Sequence, residues 1–169
     1  DGAELRPNGA EAHEIDVRRL LDDVKAYLKS SPRQLEWRRL NVSDVGYRLV
    51  QENESRYRGR RVASWDLDLE PRPNRFDRRI TVNTPLQKAG AYLLRATVAD
   101  GNTCFVVLWV ADTAIVKKPL DQGTFFYVAD AVTGQPVPKA NLEFFGYRQE
   151  WVQNKILRGG RHVVHTAQF

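Results

Sequence analysis

One cysteine, three histidines and no long apolar run set the first limits on this chain of 169 residues. Cys104 has no partner for an internal disulfide. It sits in the apolar run 104–110, where a small buried hydrophobe is its expected role. Scarce cysteine does not exclude export, since cysteine-poor proteins are common in the bacterial periplasm. The histidines are His13, His162 and His165. His162 and His165 stand three apart in strand-like sequence, which turns them to opposite faces, whereas a zinc site needs ligands that converge. No second cysteine or nearby carboxylate pair completes a ligand set, so no metal or other cofactor is expected.

Further absences narrow the function. No apolar stretch approaches the roughly 20 residues of a membrane-spanning helix. The Gly-x-Ser-x-Gly elbow, the Walker-type loop and the Gly-x-Gly-x-x-Gly turn are all missing. No residue is nominated as catalytic, and the chain is not expected to be an enzyme. The start, Asp1-Gly2-Ala3-Glu4, offers neither an initiator methionine nor a basic-then-apolar export signal. Because 166–169 is still strand-like, the expectation is a piece excised from a larger protein.

What is present is a mixed charge and an ordinary apolar fraction. Hydrophobic residues make up 42% and aromatics 10%, enough for a packed fold and against global disorder. Net charge is +5, carried by arginines such as Arg38, Arg39, Arg56, Arg58, Arg60, Arg61, Arg72, Arg75, Arg78 and Arg79. Glu36, Asp44, Glu52, Glu54, Asp66, Asp68, Glu70 and Asp77 interleave with them. A solvated or interdomain face is therefore expected rather than a nucleic-acid site. Asp66 and Asp68 share a strand face, but on its wet side, and are read as surface carboxylates and not a glycosidase pair. Asn41-Val42-Ser43 and Asn53-Glu54-Ser55 match the short glycosylation pattern.

Periodicity supplies the outline. Residues 1–12, with Gly2, Pro7 and Gly9, read as a mobile tail. From 14 to 30, Val17, Leu20, Leu21, Val24 and Leu28 recur at helical spacing, with Tyr27 beside them, and Ser30-Ser31-Pro32 ends the helix. Beyond 34 the period becomes two. Leu35-Trp37 and Val45-Tyr47-Leu49 are short candidate strands. Ala63, Trp65, Leu67 and Leu69 line one face of a strand over 62–70, and 79–83 forms another. Strands over 91–99 and 103–110 flank the Asp100-Gly101-Asn102 turn, and the second, apolar on both faces, should be central. Trp65, Leu67, Leu94, Val107 and Trp109 are the expected core. Residues 117–123 interrupt the pattern and mark a boundary. Strands near 124–130, 140–147, 150–157 and 161–168 follow, the last two joined at Arg158-Gly159-Gly160-Arg161.

The stretch from Thr124 to Phe145 is the most specific. An apolar strand reaches Asp130, a Thr133-Gly134 turn follows, then Pro136-Val137, then alternating Ala140, Leu142 and Phe144. Glycine supplies the positive φ of a tight turn, and proline suits a strand edge. This wording resembles the opening of a macroglobulin-type domain in bacterial alpha-2-macroglobulin-like proteins. Pro85-Leu86-Gln87-Lys88-Ala89-Gly90-Ala91-Tyr92-Leu93-Leu94 is similar to that family's glycine followed by a strand with a Tyr-Leu pair. Residues 107–118, from Val107-Leu108-Trp109 to Lys117-Lys118, resemble its strand, Asp corner and basic exit.

The resemblance implies a mainly β chain of antiparallel immunoglobulin-like (macroglobulin-type) β-sandwich domains with one N-terminal α-helix. The expected parts are a tail and amphipathic helix at 1–31, one sandwich at 32–118, and the start of a second, incomplete, at 119–169. It implies a non-catalytic scaffold segment of an exported, periplasmic or cell-surface protein that entraps proteases. Partners would be other domains of the same parent and, through the whole protein, target proteases. Neither nucleic acid nor membrane insertion is implied. The thioester of some macroglobulins needs Cys-x-Glu-Gln; Phe105, Val106 and Val107 follow Cys104, so this segment holds none. The competing expectation is a cell-surface adhesion or carbohydrate-binding sandwich, which would expose Trp37, Trp65, Trp109 or Trp151. Phe144, Phe145, Tyr147 and Trp151 are expected to be divided between core and docking surface.

Overall fold

The computed structural model describes residues 8–52, 55–67, 81–98, 101–154 and 159–168. Of these, 48% lie in strands and 21% in helices, and every strand pairing is antiparallel, so the class is mainly β. The strands form one four-stranded sheet and two two-stranded sheets. By compactness the chain divides into two units, each made of two separate stretches: 1–16 with 45–110, and 17–44 with 111–169. The expected division between 118 and 119 falls inside a strand, as described below.

The first unit is built on β1 (Gly9–Ile15), β2 (Arg58–Asp66), β3 (Gly90–Thr97) and β4 (Thr103–Val110), in the order β2-β1-β3-β4. The strand at Gly9 corrects the expected tail. Ala10 and Ala12 alternate with Glu11 and His13, and the small alanines, weak strand formers, hide the period. β1 is bonded on both sides, to β2 with a bulge after Ala12 and to β3 in even register. β3 and β4 meet as the expected hairpin. The apolar β4, however, lies at the edge rather than the centre. Trp109 is exposed instead of buried, and Trp65, Leu67, Leu94 and Val107 are only half-buried. The buried set is Ala10, Ala12, Ile15, Val45, Leu49, Tyr57, Ala91, Tyr92 and Leu93.

Neither of the two expected short strands forms. Leu35-Trp37 runs into α2 (Trp37–Leu40), and Val45-Tyr47-Leu49 is α3 (Val45–Val50), with α1 (Val17–Lys29) the helix expected. The set Val45, Tyr47, Leu49 fits period two, but Val45 and Leu49 are also four apart. Both are buried while Tyr47 is exposed, the arrangement of a helical turn. Arg48 on the same helix is buried too; its Nη2 donates to the Tyr57 hydroxyl at 3.2 Å, with the guanidinium 5.2 Å from that ring's centre. Residues 81–83 are not in a strand, and 68–80 lie outside the described residues.

The second unit holds α1, α2, β5 (Thr113–Leu120), β6 (Gly123–Asp130), β7 (Phe145–Asn154) and β8 (Gly159–Gln168). Residues 117–123, expected to interrupt the strands, are instead the end of β5 and the turn into β6, with Leu120 paired to Gly123. The strands expected at 140–147 and 150–157 are one, β7, preceded by irregular chain, and β7 pairs with β8 over its length. Leu28 of α1, Leu35 and Val164 of β8 form a buried cluster with Val24, Tyr27, Leu40 and Phe145 against it. The Val164 amide donates to Ser31 Oγ at 3.2 Å, tying the helix exit to the hairpin. Leu21, on the expected apolar stripe, is exposed, so the buried face of α1 is narrower than its sequence implies.

Candidate functional site

Two charged constellations and one turn gather most of the polar chemistry among the described residues. The first lies on β1. Glu11 is 7% exposed, and its carboxylate sits 3.8 Å from Arg61 Nη1 and 3.6 Å from Arg95 Nη1. Register explains the meeting: Arg95 of β3 is directly opposite Glu11, and Arg61 of β2 is opposite His13. His13 Nε2 is 3.6 Å from Glu11 Oε1 and 3.0 Å from Arg58 Nη2. A guanidinium only donates, so that ring nitrogen accepts from Arg58. On the opposite side of the strand Arg60 Nε is 3.3 Å from Glu14 Oε2. Burial of this carboxylate is offset by the two arginines that lie within ion-pair distance of it. Arg95 Nε is itself buried without a hydrogen-bond partner, so the pairing around Glu11 is incomplete on the arginine side.

The turn is 130–136. Asp130 Oδ1 accepts from the Val132 amide at 3.0 Å, the Thr133 amide at 2.7 Å and the Thr133 hydroxyl at 2.9 Å. The amide of Thr133 first, then its hydroxyl and the Val132 amide, hold the Asp130 carboxyl below its ordinary value. Gly134 has φ +71°, the positive value expected of it. The chain then returns beside β6: the Asp130 amide donates to the Gln135 carbonyl at 2.9 Å, and Ala129 bridges Pro136.

The second constellation joins α1 to the irregular segment before β7. Lys25 Nζ donates to Glu143 Oε1, which also accepts from Gln168 Nε2 at 3.0 Å. The hydrogen bond from Lys25, and then its charge, lower the Glu143 carboxyl. On the β7–β8 hairpin, Glu150 Oε2 lies 3.3 Å from His165 Nε2 and 3.4 Å from Arg148 Nη2.

The residues weighed from sequence are scattered. His165 pairs with Glu150, and the His162 side chain lies outside what the structure describes. Among the described residues no three histidine, cysteine or carboxylate side chains gather as a metal site. Cys104 is exposed on β4, not buried as expected. Asp66 is exposed at the end of β2, and Asp68 lies outside the described residues. Asn41 Oδ1 accepts from Ser43 at the 3-10 turn Val42–Asp44, and Asn53 lies outside the described residues. Trp37 is 65%, Trp109 49% and Trp151 57% exposed. Two openings among the described residues are a cavity of about 400 Å³ beside α3 and β4 and one of about 350 Å³ near Glu14, Lys88 and Tyr92. Neither is lined by a tryptophan. The Glu11 cluster escapes sequence reading because its strand is hidden by alanines and its cations arrive from 61 and 95.

No family model, no curated protein and no solved structure matches this chain.

Two outcomes test these assignments. Glu11→Ala leaves Arg61 and Arg95 without their shared anion and should cost about 1–3 kcal/mol in a urea melt. In the double variant with Arg95→Ala the two losses should fall well short of additive; simple additivity removes the pairing. The pH dependence at Asp130 follows from its lowered carboxyl. The turn's contribution is complete above the ordinary aspartate value of 3.8 and fades as pH falls through the lower native value. Melting temperatures of the native chain and Asp130→Ala should therefore differ at neutral pH and converge in acid. A gap that widens in acid contradicts the hydrogen-bond assignment.

Proposed function

We propose that this chain is a non-catalytic structural segment of a bacterial alpha-2-macroglobulin-like protein, a scaffold for protease entrapment, with immunoglobulin-like macroglobulin-type sandwich modules. The observation that carries the reading is the local architecture of 113–136. Of the segments on which the resemblance rests, 113–136 folds as a hairpin, an Asp-capped turn with Gly134 at positive φ, and a return that bridges Ala129 to Pro136, whereas 138–144 forms no strand. This is how an antiparallel sandwich opens: strand pair, tight corner, edge that stops at proline. The Tyr92-Leu93 pair buried on β3 fits the same wording. In this reading the parent is exported to the periplasm or cell surface, and its remaining domains and its target proteases are the partners.

A second reading, a carbohydrate-binding or adhesion module, is favoured by one observation: three tryptophans are exposed. Of these Trp151 is the best placed. Its indole lies over Gly160 of the facing strand, so closely that any Cβ at 160 would overlap the ring. It shares a strand face with Tyr147 at period two.

The tests separate the two. Mixed with a protease, the parent protein should suppress cleavage of a large protein substrate and spare a short chromogenic peptide. Equal loss of both signals, or of neither, counts against entrapment. For the second reading, soluble polysaccharides should leave the tryptophan emission of the 169-residue chain unchanged. A saturable shift that disappears in Trp151→Ala, and in Gly160→Ala through displacement of the ring, would transfer the assignment to glycan binding.

A further inference from the structure

β5 is bonded on one side only. It pairs with β6 from Thr113↔Asp130 to Leu120↔Gly123, and all eight of its residues are exposed. Which main-chain groups face outward follows from the turn. Leu120 and Gly123 flank the two-residue turn Asp121-Gln122 and exchange the bonds that close it, and in an antiparallel ladder such pairs alternate with unbonded ones. Lys118, Val116 and Ala114 thus face β6, while Pro119, Lys117, Ile115 and Thr113 face away. Flanking bonds agree. Ala131 donates to the Asp112 carbonyl at 2.8 Å, continuing the inward series. On β6 the outward residues Val128 and Asp130 are engaged by Val137 and Gln135, at 3.0 and 2.9 Å. The outer edge of β6 is therefore occupied where the chain returns, and among the described residues the outer edge of β5 has no partner. Pro119, the residue that makes this stretch look like an interruption, falls at an outward position where its missing N–H costs the hairpin nothing.

The side chains say what fits there. Ile115, Val116 and Leu120 are each more than half exposed. Lys117 and Lys118 project to opposite faces, and β5 holds no acidic residue. A second copy of β5 is a poor occupant. Antiparallel addition must match outward groups with outward groups, and the two registers with the longest overlap set Lys117 directly opposite the copy's Lys117 or diagonally beside it, an unfavourable like-charge arrangement. Lysines and proline on a free edge are the usual obstacle to self-pairing.

We propose that β5 is a docking edge for an extended acidic segment of another polypeptide. The segment adds to the hairpin as a third strand, with carboxylates beside Lys117 and Lys118 and β-branched residues beside Ile115 and Val116. Main-chain bonds at Thr113, Ile115 and Lys117 supply the attachment, and the charges select the partner.

The probe is a labelled, capped peptide, Thr-Thr-Glu-Glu-Val-Val-Thr-Thr, titrated into the 169-residue chain and followed by fluorescence anisotropy. Saturable binding that weakens with salt is expected, and a peptide with lysines in place of the glutamates should not bind. Lys117→Glu with Lys118→Glu should weaken binding at least about tenfold, about 1.4 kcal/mol, while the melting temperature stays that of the native chain. Ile115→Pro removes an outward N–H alone and should abolish binding with the hairpin retained. In hydrogen exchange, the amides of Ile115 and Lys117 should gain protection on peptide addition, whereas those of Val116 and Lys118 are protected beforehand. The proposal is overturned by absence of binding, by equal binding of the lysine peptide, by charge-reversed protein that binds undiminished, or by sedimentation showing that the chain dimerises through β5.

Discussion

The four-stranded sheet depends on one strand that carries a charge into its middle. β2 and β3 are not neighbours in the sheet; among the described residues each is hydrogen-bonded to β1, which lies between them. At its centre Glu11 is taken out of water, which costs free energy unless cations come with it. Arg61 arrives from one neighbour and Arg95 from the other. The same carboxylate thus makes strand register consequential. A slip by one residue would turn Glu11 to the other face and leave both arginines facing apolar Ala10 or Ala12. Charge neutralisation here does what apolar complementarity does in an ordinary sheet.

Much of the outline was legible, and the failures have specific causes. α1 was readable because five apolar residues recur at helical spacing, and the β3–β4 hairpin because strong strand formers flank Gly101. β1 was not, since Gly9, Ala10 and Ala12 are residues of loops and helices as much as of strands, and only long-range pairing makes them a strand. α3 is ambiguous in sequence because Val45 and Leu49 satisfy two periods at once, and burial alone decides between them. β4 looked central because it is apolar on both faces, yet hydrophobicity does not reveal whether a further strand lies beyond. Lys117-Lys118-Pro119 read as punctuation because proline's effect depends on which way its nitrogen faces, a property of pairing and not of composition.

The site was legible in a different measure. The Thr133-Gly134 turn and the positive φ of Gly134 are legible, and the Asp130 cap beside them is local chemistry of the same few residues. The Glu11 cluster was invisible, because its members stand at 11, 61 and 95 and are brought together only by the sheet. Local chemistry survives in sequence; convergent chemistry does not. The exposed tryptophans fall between these cases, their positions plain in the sequence and their surroundings not.

The interleaving of the two units along the chain bears on the order in which the protein can be made. β1 is made before either of its partners, Glu14 pairs with Tyr92, and the sheet has no second side until 90–97 has emerged. In the interval β1 must remain extended with its carboxylate hydrated, while the whole of 17–44, which belongs to the other unit, passes between. Closing so long a loop adds only logarithmically to the free-energy cost, yet it slows the search considerably. During synthesis β1 can therefore pair first with β2, and it gains its partner on the other side only once β3 has followed.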